Sequence, residues 1–143
     1  MQTPPFRLRH AAWTRDAVLL QDVRRRVFIE EQGVPELLEW DEWDPVALHV
    51  LALDSRGLAI GTGRLMPDAR IGRMAVLGHW RKRGVGGALL DALLDAAAAR
   101  GMREVMLNAQ THALGFYARR GFVAEAAPFE DAGIPHRRMR LRL

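Results

Sequence analysis

No cysteine occurs in the sequence, and serine, lysine and tyrosine are each represented once, as Ser55, Lys82 and Tyr117. Without cysteine there is no disulfide frame, no thiolate metal site and no cysteine nucleophile. Ser55 lies in "LDSRGL", a turn between two apolar stretches, so a serine hydrolase has no starting point. No apolar run approaches the roughly 18 to 20 residues of a membrane span. The leading "MQTPPFRLRHAAW" lacks the cationic-then-apolar layout of a secretory signal, so a cytoplasmic protein with no membrane partner is expected. The histidines, at 10, 49, 79, 112 and 136, are scattered, and none has the spacing of a metal-binding helix. No metal is expected.

What is present fits one globular domain spanning 1–143, with 49% hydrophobic and 27% charged residues. The net charge of +4, carried almost wholly by arginine, raises nucleic-acid binding as a rival function. Against it stands an acidic block, Glu30, Glu31, Glu36, Glu39, Asp41, Glu42 and Asp44, ill-suited to a surface for phosphate backbones.

"FRLR" at 6–9 alternates and reads as a first strand. Residues 16–31 carry apolar positions at 19, 20, 23, 27 and 28, a helical spacing with Asp16 as its expected N-cap. "QGVPELLEWDEWDP" reads as a loop with room for a helical turn. "ALHVLALD", a turn at "SRG" and "LAIGTGRLM" form a hairpin pattern, and 69–77 a further strand. A helix of about 17 residues follows, with Val85, Leu89, Leu90, Leu93, Leu94 and Ala97 on one face and Gly101 as its stop. "EVMLNA" is a strand, "THALGFYARRG" a helix, and "FVAEA" with "HRRMRLRL" close the sheet. Adjacent strands followed by strand–helix–strand units predict an α/β fold of the α+β kind, a mixed sheet covered by helices.

The chemistry is concentrated in "RKRGVGGALLDALL". The Walker pattern is missing, and the third glycine of a dinucleotide fingerprint is replaced by Leu89. What remains is Arg81-x-x-Gly84-x-Gly86 between a strand and a long helix. Free N–H groups and the positive dipole end of such a helix suit a pyrophosphate, glycines allow close approach, and Arg81, Lys82 and Arg83 reach outlying phosphates. A glycine turn with solvated cations is the alternative.

This segment resembles the acetyl-CoA pyrophosphate loop of the GCN5-related N-acetyltransferases (GNAT superfamily), Gln/Arg-x-x-Gly-x-Gly/Ala after the fourth strand. "QTHALGFYARRGF" resembles the family's C-terminal motif through Ala113, Tyr117, Gly121 and Phe122, with Gln110 in place of the usual Asn. "RRRVFIEEQGVPELLEWDEWD", "GTGRL", "IGRMAVL" and "GIPHRRM" resemble the ElaA-like branch.

The resemblance implies the splayed GNAT sheet and acetyl transfer from acetyl-CoA to a small-molecule or peptide amine, without nucleic acid, in a family where homodimers are common. It places the pantetheine arm on the edge of Met74, Ala75 and Val76, one backbone N–H serving the thioester oxygen. The diphosphate falls on Arg81, Lys82, Arg83, Gly84, Val85, Gly86 and Gly87. Tyr117 is implied to protonate the leaving thiolate and Gln110 to meet a pantetheine amide. A protonated amine needs a base. Candidates are Glu31, Glu39, Asp41, Asp44, His49, His112, Glu130 and His136, with Glu31 first and His136 next. Gln32, Asp41 and Asp44 are the expected acceptor-binding residues, and Trp40 and Trp43 are placed to stack a cation or to cover the core. An acyl-CoA-sensing or nucleic-acid-binding module without turnover is the rival from another class.

Overall fold

The computed structural model describes residues 5–143; residues 1 to 4, the start of the stretch read above for a secretory signal, lie outside it. Strands β1 (Phe6–Ala11), β2 (Leu48–Asp54), β3 (Ala59–Leu65) and β4 (Ile71–Val76) form an antiparallel sheet in chain order. Strands β5 (Glu104–Gln110), β6 (Val123–Asp131) and β7 (Ile134–Arg142) form a second sheet in the order β5-β7-β6. The two sheets meet in one parallel bridge, Arg70 to Met106, with the Met106 N–H on the Ala69 carbonyl at 3.1 Å. Past it β4 and β5 diverge. The expected mixed, splayed sheet flanked by helices is therefore present.

Both faces of the first sheet are covered, which explains the near-continuous apolar run of β2. Val50 and Ala52 join the cluster under helix α3 (Val85–Ala99), while Leu51 and Leu53 join the cluster under α1 (Trp13–Arg24) with Leu20, Val23 and Val27. Helix α3 lies flat because β3 offers glycines beneath it. A Cβ at Gly61 would sit 3.0 Å from Leu89 and 3.3 Å from the Ala75 carbonyl, and one at Gly63 would sit 2.9 Å from Leu93. Helix α3 stops where expected: Gly101 is left-handed (φ 77), and the N–H groups of Gly101 and Met102 close on the carbonyls of Ala98 and Ala97.

The first helix departs from its expected form. It begins at Trp13, and Asp16 lies within its first turn, so Asp16 is not the N-cap. Its buried carboxylate instead accepts from the N–H of Ala12, the true N-cap, and from Arg9 and Arg15. Sequence periodicity extended this helix unbroken to 31. The chain widens into a π-helical turn over Arg25–Glu31, a feature often found at functional sites. A short α2 (Glu36–Glu39) and α4 (Leu114–Ala118) complete the set. Among the described residues no helix is long and apolar enough to cross a membrane.

Candidate active site

Two backbone features stand out along β4 and the helix that follows it. Along β3 and β4, Thr62 pairs with Ala75 and Arg64 with Gly72, so Gly63 alone faces both Arg73 and Met74. This is a β-bulge, with Arg73 in left-handed backbone (φ 50). A bulge takes backbone groups out of the ladder and turns them. It lies where the resemblance had set the oxyanion donor, at the start of Met74–Val76. The second feature is the N-terminus of α3. Gly84 caps it in left-handed conformation (φ 86), which glycine adopts without a Cβ penalty. The N–H groups of Val85, Gly86 and Gly87 are left without intrahelical acceptors, since the ladder starts with Ala88 on Gly84.

The three cations of the loop are not equivalent. Lys82 is exposed, with φ 61. Arg83 folds back over the Trp80 ring at 5.8 Å. Arg81 grips Glu31 through both guanidinium nitrogens, at 2.6 and 2.7 Å, and its Nε donates to the Val76 carbonyl at 2.9 Å. Arg81 therefore ties the π turn to the end of β4 rather than projecting freely to a phosphate. The same contact bears on Glu31 as a base: the Arg81 guanidinium holds its carboxyl below the usual range, which weakens its pull on a proton. Sequence reasoning passed over Arg120, which bonds Asp91 at 3.1 Å and packs against Gly87 so closely that a methyl there would collide with the guanidinium. The signal was the second arginine of "YARRG".

Tyr117 comes from α4 to the bulge. Its hydroxyl donates to the Met74 sulfur at 3.8 Å, and burial pushes the phenol up to about 12, so it stays protonated at neutral pH. Gln110, at the end of β5, exchanges amide hydrogen bonds with Gln32 at 2.8 and 3.3 Å and bonds the His112 ring at 2.7 Å. The pair links the segment leaving the π turn to the mouth of the second sheet. His136 faces Gln110 across the β5–β7 ladder. Its Nδ1 lies 2.7 Å from the Ile134 carbonyl, which only accepts, so Nδ1 carries the proton and Nε2 is left as an acceptor.

The acidic block does something other than expected. Arg24, 1% exposed, bonds Glu39 at 2.8 Å and Asp44 at 2.7 Å. Arg64 bonds Asp41 and Asp44, each at 2.7 Å. Arg73 pairs with Glu39 at 3.2 Å and Asp41 at 3.3 Å. Three arginines and three carboxylates form one largely buried, charge-balanced network. Asp41 and Asp44 are thus occupied internally, and Trp40 lies under the Arg24 and Arg25 guanidinium groups at 5.2 and 5.6 Å. His49 is also taken up, with Nε2 2.8 Å from the Asp44 carbonyl, Trp13 stacked on its ring, and burial holding its pKa below the ordinary value.

The acetyltransferase (GNAT) domain family model matches residues 15–143. The chain belongs to the GNAT acetyltransferase family. It is 41% identical over 121 residues to the uncharacterized N-acetyltransferase YjcF of Bacillus subtilis, covering 82% of this chain and 86% of that one. An acyl-CoA N-acyltransferase from Pseudomonas aeruginosa superimposes with a TM-score of 0.84 at 28% identity, over 95% of this chain and 99% of that one. Escherichia coli ElaA shares the fold, with a TM-score of 0.84, 24% identity, and the same 95% and 99% coverage. Within this GNAT frame the loop, bulge and Tyr117 lie together, His136 lies by Gln110 at the mouth, and Glu31, Asp41 and Asp44 are engaged in ion pairs.

Proposed function

We propose that the protein moves an acetyl group from acetyl-CoA directly to a primary amine within a ternary complex. GNAT-type acetyltransferase activity is the family's property; the donor, the acceptor class and the direct route are our reading. Its main support is a convergence on β4: the N-terminus of α3, with its free N–H groups, packs by Gly86 near Val76, and the Tyr117 hydroxyl lies 3.8 Å from the Met74 sulfur at the bulge.

In this reading the N–H groups of Val85, Gly86 and Gly87 receive the diphosphate, with Lys82 and Arg83 at its flank and Arg81 bracing β4. The β4 edge from Met74 through Ala75 to Val76 lies along the pantetheine arm. A backbone N–H of the bulge polarises the thioester carbonyl, a contribution of a few kcal/mol where water is excluded. The amine nitrogen attacks the carbonyl carbon, the carbon–sulfur bond breaks, and Tyr117 passes its proton to the departing sulfur. The amine proton goes to His136 Nε2, directly or through water. Glu31, held low by Arg81, ranks below His136 for this step. Gln32 and Gln110 trade their mutual amide bonds for contacts with acceptor and pantetheine. Without cysteine the transfer passes through no acyl-cysteine.

Calorimetric titration with acetyl-CoA and free CoA, beside a Gly84→Glu variant, tests this. Binding that the variant loses is expected, followed by thiol release with amines that Tyr117→Phe slows. A folded wild type that binds neither ligand would sink the reading.

A further inference from the structure

At the apex of the splay, where β4 and β5 still touch, lies a cavity of about 100 Å³. Its walls include Arg64, Arg70, Arg73 and Arg138, with Met106 and Asn108 beside them and no carboxylate side chain in the lining. Since about 10 to 15 Å³ of such space already holds one water, there is room for a small charged group. Three of the arginines are matched from outside it: Arg64 and Arg73 by the buried network, and Arg70 by Asp68 at 2.7 Å. Arg138 has no carboxylate partner among the described residues. The Nε of Arg64, buried, also has no hydrogen-bond partner. Arg138, exposed at the rim and opposite Glu125 on the β6–β7 ladder, is therefore the one arginine of the lining without a carboxylate bonded to it.

Position connects this cavity with the transfer. Arg73 precedes Met74, the residue the Tyr117 hydroxyl reaches. Asn108 faces Arg138 across the β5–β7 ladder, as Gln110 faces His136 two residues along. Residues two apart on a strand share a face and lie roughly 7 Å apart. The cavity is therefore a short step from the proposed base, on the same face of the second sheet. An acceptor that fits both places carries its amine toward His136 and an anionic group toward Arg138.

Resting on the acetyltransferase reading, we propose that this cavity holds the carboxylate of the acceptor, so that the substrates are small carboxylate-bearing amines and not polyamines. A lone unpaired arginine favours a monoanion, and a guanidinium accepts a carboxylate through two parallel hydrogen bonds. The matched arginines keep the wall positive among its apolar residues, and no acid lines it.

The test compares β-alanine, ethanolamine, putrescine and O-phosphoethanolamine as acceptors for wild type, Arg138→Ala and Arg138→Lys. The expected result is a preference for β-alanine over ethanolamine that drops at least roughly tenfold in Arg138→Ala, through KM and not kcat, and is partly restored in Arg138→Lys. A preference for putrescine, an unchanged ratio in Arg138→Ala, or a preference for the phosphate compound overturns the assignment while leaving acetyl transfer intact. Calorimetry of β-alanine with the enzyme in the absence of acetyl-CoA reads the cavity even if no amine is turned over. Heat lost in Arg138→Ala supports the site, whereas no heat in the wild type, or equal heat in both, refutes it.

Discussion

Asp44 was a natural candidate to attract a cationic amine, and its surroundings predict a different role. Its carboxylate is 1% exposed and accepts from Arg24 at 2.7 and 3.3 Å, from Arg64 at 2.7 Å and from the Asp41 N–H at 3.2 Å. Asp44→Asn keeps the shape but removes one negative charge from a balanced set, leaving Arg24 and Arg64 with excess positive charge out of water. Removing one partner of a buried pair costs about 3 to 5 kcal/mol. For a chain of this size that corresponds to a Tm drop of roughly 10 to 20 °C. It is also a large share of a total stability of about 5 to 15 kcal/mol. Thermal unfolding followed by circular dichroism, with urea melts for ΔG, measures it, using exposed Asp95→Asn as the reference. The double variant with Arg24→Met is expected to cost less than the sum of the singles, because each removes what the other leaves unpaired. A drop below about 3 °C together with a raised KM for the amine would refute the structural role and restore Asp44 as a substrate contact.

Glu31→Gln separates two roles at the coenzyme loop. Releasing Arg81 from a half-exposed pair is expected to change acetyl-CoA affinity by at most about fivefold, with kcat near wild type. A kcat loss of a hundredfold or more at unchanged acetyl-CoA affinity would make Glu31 the base after all. Tyr117, pushed up to about 12, predicts a kcat profile without an alkaline limb near pH 10; such a limb, absent in Tyr117→Phe, contradicts the assignment. Gly61→Ala drives a methyl against Leu89, Val85 and the Ala75 carbonyl, so roughly 1 to 3 kcal/mol of stability and a rise in KM for acetyl-CoA are expected. Unchanged stability and KM would show that α3 can shift freely. Arg9 and Arg15 and the Ala12 N–H hold the Asp16 carboxyl well below its usual range, so its stabilisation is present above the unfolded value of about 4 and fades as pH falls further. The Tm gap between wild type and Asp16→Asn is expected to be open at pH 7 and to narrow below pH 4; a gap constant across that range argues against the linkage.

What the sequence could reveal depended on how local the signal was. The β2–β3 hairpin, the buried stripe of α3 and its glycine stop follow from side-chain period and from glycine at positive φ, both contained in a short window. The glycine loop and "GFYARRGF" were readable as motifs because their residues lie within one or two turns of one another. The bulge at Arg73 was not, because it exists only in the register between two strands. The insertion of β7 between β5 and β6 was equally hidden, although the two-residue turn that starts it, Ala132 and Gly133, both at positive φ, is local. The acidic block misled for a related reason. Its composition gave the charges but not their partners: Arg24, Arg64 and Arg73 come from three different elements, and only the fold brings them to Glu39, Asp41 and Asp44.

The joint between the two sheets has a mechanical consequence. At the apex they share one backbone bridge, and at the mouth the Gln32–Gln110 amide pair spans the gap. If the two sheets part on binding, this joint would act as a hinge with a light catch. Each amide bond contributes a net of about 1 kcal/mol, so the catch yields to any guest that replaces those two bonds. The end around the arginine-lined cavity would then stay shut while the far end opens. Width at the mouth would then be the adaptable dimension, and a longer acyl chain would be admitted there by opening the catch, with the cores of both sheets undisturbed.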